Sequence, residues 1–152
     1  MNDMVRWGGS HGPRAGCGAA IVQDGRILLV KRLRDPEAGC WGLPGGKIDW
    51  METVERSVLR EIREELSITL SDITLLNVVN QIDVERDEHW VAVVYLATSF
   101  TGAPALLERD KHDEIGWFEL SHLPEPLTAA TKDTLPILRR IANPVCGLPK
   151  EE

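Results

Sequence analysis

The run from Gly45 to Ile68, GGKIDWMETVERSVLREIREELSI, constrains this chain more than any other stretch. It opens as a glycine turn behind Leu43-Pro44. From about Thr53 it reads as a helix, because Val54, Val58, Leu59, Ile62 and Leu66 recur at helical spacing and form one buried stripe. At about 100° per residue, Glu61, Glu64 and Glu65 fall within an arc of roughly 100° beside that stripe. They can therefore meet. Carboxylates so placed repel by about 0.2–0.5 kcal/mol per pair on an open helix, so stability alone would not gather them. A divalent cation reverses the sign. Hard oxygen ligands suit Mg²⁺ or Mn²⁺, which take a few carboxylates and leave positions for water and substrate phosphate. Gly45 and Gly46 carry no Cβ, so the backbone there can turn sharply, offer carbonyl oxygens and approach an ion or a phosphate closely. The bland alternative is a solvated acidic helix, which accounts for isolated charge runs better than for this spacing behind two glycines.

The fixed positions of this stretch form a recognisable pattern. Gly46, five residues, Glu52, seven residues, Arg60-Glu61-Ile62-Arg63-Glu64-Glu65 and finally Ile68 closely resemble the Nudix box, Gly-x5-Glu-x7-Arg-Glu-U-x-Glu-Glu-x-Gly-U with U aliphatic. The resemblance implies that Glu61 and Glu65 are the principal metal ligands. It makes Glu64 a further ligand or a water-activating base, with a backbone carbonyl at Gly45 completing the shell. It also pairs Glu52 with Arg60 to bridge the loop to the helix, Arg60 orienting the catalytic glutamates. Lys47, directly after the glycines, is placed to neutralise developing charge on a phosphate. Ser67 departs from the pattern, which has glycine there. A left-handed C-cap at that position would cost a serine about 1 kcal/mol without removing any ligand.

Composition sets outer limits. With 152 residues, 43% of them apolar, the chain can build one domain with a core but not two. Its 17 Lys and Arg against 24 Asp and Glu give a net charge of −7, which disfavours nucleic acid polymers and anionic membranes as partners. An acidic protein that handles phosphates must bring cations. Cys17, Cys40 and Cys146 form no Cys-x-x-Cys pair, so reduced thiols, a cytoplasmic home and no structural zinc are expected. No apolar run is long enough to span a bilayer, and the first residues lack a signal-peptide pattern.

Along the chain, residues 1–15 mix Gly, Pro, Ser and charge and read as an N-terminal arm, in which Trp7 and His11 could pack against the body or a second subunit. Residues 16–142 form the domain and 143–152 a loose tail. Asp24-Gly25 between two apolar runs predicts a hairpin with strands near 17–23 and 26–33. Arg32 leaves the second strand and either reaches a phosphate or faces water, and Trp41 anchors the loop that follows. Beyond the helix, two β-rich runs predict long antiparallel strands, with Trp90 and Tyr95 on opposite faces and Glu85, Glu88 and His89 at their corner. In the segment KHDEIGWFEL, Asp113, Glu114 and Trp117 resemble an acidic pair and aromatic strand of Nudix pyrophosphohydrolases, a place for nucleobase contacts or an extra metal ligand from outside the box. A C-terminal helix from about Thr128 contains Pro136, which predicts a kink or a restart.

This order of elements gives an α/β chain with a mixed sheet covered by helices on both sides. The resemblance implies the Nudix α/β/α sandwich, and a homodimer. Carboxylates, a divalent cation and no Ser-His or Cys-His pattern favour attack by activated water. The expected reaction is Mg²⁺-dependent (or Mn²⁺-dependent) pyrophosphate hydrolysis in a nucleoside diphosphate linked to another group. MutT-like cleavage of a nucleoside triphosphate to monophosphate and pyrophosphate is favoured over ADP-ribose or dinucleoside polyphosphates. A reading of another class is a Nudix-like module that senses a nucleotide without cleaving it. Retention of Arg60, Glu61, Glu64 and Glu65 argues against it.

Overall fold

The computed structural model describes residues 12–142, so Trp7, His11, Cys146 and the tail lie outside it. The sequence folds into β1 (Arg14–Gln23), β2 (Arg26–Arg32), β3 (Trp41–Gly42), β4 (Gly45–Lys47), α1 (Val54–Leu66), β5 (Thr69–Leu70), β6 (Ile73–Asp83), β7 (Glu88–Ala97), β8 (Phe100–Thr101), β9 (His112–Glu119) and α2 (Ala129–Ala142). Seven of the strands make one sheet ordered β3-β2-β1-β7-β6, with β4 also pairing β1 and β9 pairing β2. Only the β1–β7 pairing is parallel within it, so the sheet is mixed. Strands β5 and β8 form a separate antiparallel pair.

The central strands are buried on both faces, which is why they read as continuous apolar runs. Cys17, Ala19 and Ile21 of β1 and Leu28 and Val30 of β2 pack with Val58, Ile62 and Leu66 of α1. Ala20, Ile27 and Leu29 face the other way, toward Leu135 and Leu138 of α2. The sheet is therefore sandwiched between two helices, as the resemblance implied. Val58, Ile62 and Leu66 are fully buried, each stabilising the α1 docking by about 2 kcal/mol.

Local chemistry sets the boundaries. Asp24 and Gly25 both take positive φ, the requirement of the tight hairpin that Asp-Gly predicts, and Gln23 pairs directly with Arg26. Thr53 caps α1, its hydroxyl accepting from the Arg56 N–H. Ser67 ends the helix in the left-handed region at φ 60°, donating its N–H to the Arg63 carbonyl, as the expected C-cap requires. Helix α2 runs through Pro136 as one element, so the helix does not restart there. Thr128 and Thr131, joined by their hydroxyls at 2.8 Å, fix its first turn, and Leu43 donates its N–H to Thr131. Trp41 anchors the loop below, 8% exposed and edge-on to Phe118 at 4.9 Å. Tyr95 joins the α1-side core, while the Trp90 ring lies toward Gly16 on the opposite face, the alternation expected for β7.

Candidate metal and phosphate site

Three elements build the site: the glycine strand β4, one flank of α1, and the loop between β8 and β9. The first two meet through backbone that tolerates no side chain. A Cβ on Gly45 would overlap the carbonyl of Cys17, and one on Gly46 would overlap the carboxylate of Glu61. The glycines thus let β4 pair with β1 while Glu61 packs directly against the turn. The Gly45 N–H donates to Glu65 at 3.1 Å, tying turn to helix a second time.

Arg60 organises the acids. Its guanidinium donates to Glu52 from Nε and from Nη2 at 2.9 Å, to Glu61 at 2.9 Å and to Glu64 at 3.2 Å, and it also reaches the Lys47 carbonyl. The Ser57 hydroxyl adds a short hydrogen bond to Glu52. Arg60 and Ser57 together hold the Glu52 carboxyl down near a pKa of about 2, so it stays ionised. The Glu52–Arg60 bridge between loop and helix is therefore present as the box implied.

The two innermost acids shift the other way from Glu52. Burial pushes Glu65, 2% exposed, up to a pKa of about 8, helped by the negative charge of Glu61 and opposed by the Gly45 N–H. Burial also raises Glu61, against the opposing pull of Arg60. Buried carboxylates that feel one another's charge favour a proton or a metal ion beside them. The donor set fits a hard divalent cation. Carboxylate oxygens of Glu61, Glu64 and Glu108 lie within 4.8 Å of one another.

Glu108 was not singled out from the sequence. It sits in the β8–β9 loop, which is drawn in because Ala105 and Leu107 donate their N–H groups to the carbonyls of Leu66 and Glu65, at 3.0 and 2.9 Å. These are last-turn carbonyls of α1, which have no partner within the helix. Asp113 and Glu114, five and six residues later, were the acids expected to contact a nucleobase or to add a ligand from outside the box. Both lie exposed on β9, outside the group formed by Glu61, Glu64 and Glu108, and Glu114 faces Lys31 at 3.5 Å. Trp117, half-buried, packs against the α1-side core and stacks on Phe100 at 6.0 Å. Glu65 lies beside the group of three, committed on one oxygen to Gly45.

Two basic candidates are also placed elsewhere. Successive strand residues point to opposite faces, and since Gly46 faces Glu61, Lys47 leaves β4 on the other side. Its ammonium lies 5.9 Å from the Trp90 ring, which Arg14 also approaches at 5.5 Å. Lys47 is therefore not brought to the glutamates. Arg32 donates from Nε to the Pro36 carbonyl at 3.0 Å and braces the loop after β2. Besides Arg60, Lys111 reaches the acids, ion-paired with Glu108. The corner with Glu88 and His89 lines a cavity with Arg14, Ile82 and Asp83, apart from the box.

A mixed sheet between two helices, with an acid-bearing helix seated on a glycine strand, defines an α/β domain whose clustered carboxylates could hold a cation. Residues 12–140 match the NUDIX domain family, and the chain belongs to it. The structure is similar to that of a MutT NUDIX hydrolase from Burkholderia pseudomallei, with TM-score 0.83 and 62% identity, covering 84% of this chain and 98% of that one. The sequence is 34% identical over 113 residues to an ADP-ribose pyrophosphatase of Methanocaldococcus jannaschii and 30% identical over 112 residues to an 8-oxo-dGDP phosphatase of Mus musculus. These alignments take in 74% and 72% of this chain but only 66% and 33% of those relatives' own lengths. Among the described residues, no helix is long and apolar enough to cross a membrane.

Proposed function

We propose that this protein is a Mg²⁺-dependent (or Mn²⁺-dependent) nucleotide pyrophosphohydrolase that cleaves a nucleoside triphosphate to the monophosphate and pyrophosphate. The observation that carries the reading is the convergence of Glu61, Glu64 and Glu108 on one point beside the glycine strand. Glu61, Glu64 and Glu108 would hold the cation, with Glu65 and the Gly45 backbone as neighbours. When bound, the ion offsets phosphate charge and acidifies a water molecule. The chain's own residues supply the rest. Arg60 fixes the orientation of Glu61 and Glu64, and Glu52 fixes Arg60. Glu64, exposed at the rim, is the acid best placed to accept a proton from an attacking water.

The choice of a triphosphate is supported by the likeness to a MutT hydrolase over nearly all of that protein's length. A second reading, ADP-ribose hydrolysis, is favoured by the archaeal relative's activity. Trp117 argues for neither, since its ring is packed against the core. The test is a panel of nucleoside triphosphates, 8-oxo-dGTP, ADP-ribose and dinucleoside polyphosphates, with and without Mg²⁺, with products separated by ion-exchange chromatography. Triphosphates should give the highest kcat/KM, with pyrophosphate as product and no turnover in EDTA. Fastest turnover of ADP-ribose would transfer the assignment to the second reading, and nucleotide binding without any turnover would make this a sensing module.

A further inference from the structure

Lys111 stands where an acidic cation site would least be expected to keep a lysine. Its ammonium pairs with Glu108, one of the three acids that converge on the site, and its charge is felt by both Glu61 and Glu65. The pairing is not what holds the loop. The Lys111 N–H donates to the Glu108 carbonyl at 3.0 Å, and its own carbonyl accepts from the Leu33 N–H at 2.9 Å. One residue earlier, Asp110 is bonded to Arg34 at 2.7 Å. Backbone and a separate ion pair thus pin this segment to the end of β2, and the lysine side chain, 43% exposed, has solvent beside it into which it can turn.

We infer that Lys111 is a built-in counter-cation of the acidic site, which occupies Glu108 until a divalent ion displaces it and so sets how tightly that ion binds. This rests on the metal site proposed above. Physical chemistry fixes the direction of the effect. In the metal-free protein the ammonium offsets the mutual repulsion of several carboxylates. When a divalent ion arrives, the same ammonium must give up a carboxylate oxygen and adds a positive charge near the ion. Lys111 is therefore a positioning residue whose removal strengthens metal binding while weakening the empty state.

The experiment is Mn²⁺ titration of the full chain without nucleotide, following free Mn²⁺ by electron paramagnetic resonance, for wild type, K111M, K111Q and K111R. The neutral variants should bind Mn²⁺ about fivefold more tightly or better, while K111R stays within about twofold of wild type. In thermal melts, K111M and K111Q should have a lower Tm than wild type in EDTA and a larger rise on saturating Mg²⁺. Neutral variants that bind no more tightly, or an arginine variant that behaves like them, would overturn the inference. Should a neutral variant fail to fold, the wild-type Lys111 ammonium resonance, assigned by its loss in K111R, provides a second test. It should shift on adding Mg²⁺, and an unmoved signal at saturation would overturn the inference too. Wild-type protein that binds no Mn²⁺ at all overturns the metal-site reading itself, whereas normal binding and turnover with unaltered variants overturns only the role of Lys111.

Discussion

The buried acid Glu65 makes metal-free stability fall as pH rises, and the size of the fall can be worked out. The Glu65 pKa goes from 4.5 to about 8 on folding, chiefly through burial, which corresponds to about 5 kcal/mol between the protonated and ionised forms. Because the folded pKa is raised, the native state keeps its proton where the unfolded chain has lost it. The contribution is complete below about pH 4.5 and disappears as pH climbs through 8. His112 acts in the opposite sense. Burial lowers its pKa, so its contribution is present above about pH 6.5 and lost as pH falls further. Between about pH 6.5 and 8 the histidine is silent and Glu65 contributes about 1.4 kcal/mol per pH unit, or about 2 kcal/mol over the window, while Glu61, also raised by burial, acts in the same sense. Cys17, pushed up to about 11 by burial, and the strongly ionised Glu52 titrate outside it. Urea unfolding in EDTA at several pH values should show this decline in wild type and a much flatter profile in E65Q, which cannot ionise. Stability that is level or rising across the window, or an E65Q profile parallel to wild type, would refute the assignment of a buried proton to Glu65.

Three substitutions test the scaffold around the acids. R60A strips Glu52, Glu61 and Glu64 of a shared partner; it should cost about 2 kcal/mol, lower Tm by about 5 °C and reduce kcat, and unchanged melting with unchanged activity would remove the bridge from the account. The adjacent glycines should differ: G45A meets the Cys17 backbone and should unfold or strongly destabilise the protein, whereas G46A meets only the end of the Glu61 side chain and should lose metal affinity and activity with little change in Tm. S67G relieves a left-handed serine and should raise Tm by about 2–4 °C without altering kcat.

Much of the fold was legible because its signals are local. The Asp24-Gly25 turn, the apolar spacing of Val58, Ile62 and Leu66, and the β-branched runs of β6 and β7 each specify their own element. The box acids were legible for the same reason, since helical spacing alone puts them on one flank. Glu108 was not, because it reaches the site only after the β8–β9 loop docks on the free carbonyls at the end of α1. No periodicity announces such a contact. A short acidic segment between two strands, LLERD, is the only trace in the sequence. Lys47 illustrates the converse. Nearness in sequence to the glycines suggested a phosphate role, but strand alternation sends its side chain to the face carrying Trp90.

Diffraction from crystals soaked in Mn²⁺, with anomalous differences measured, bears on the central claim most directly. A peak should stand about 2.0–2.3 Å from carboxylate oxygens of Glu61 and of Glu64 or Glu108, beside the Gly45–Gly46 strand, with Lys111 drawn away from Glu108. A saturated crystal with no peak there, and Glu108 still bound to Lys111, would contradict the account.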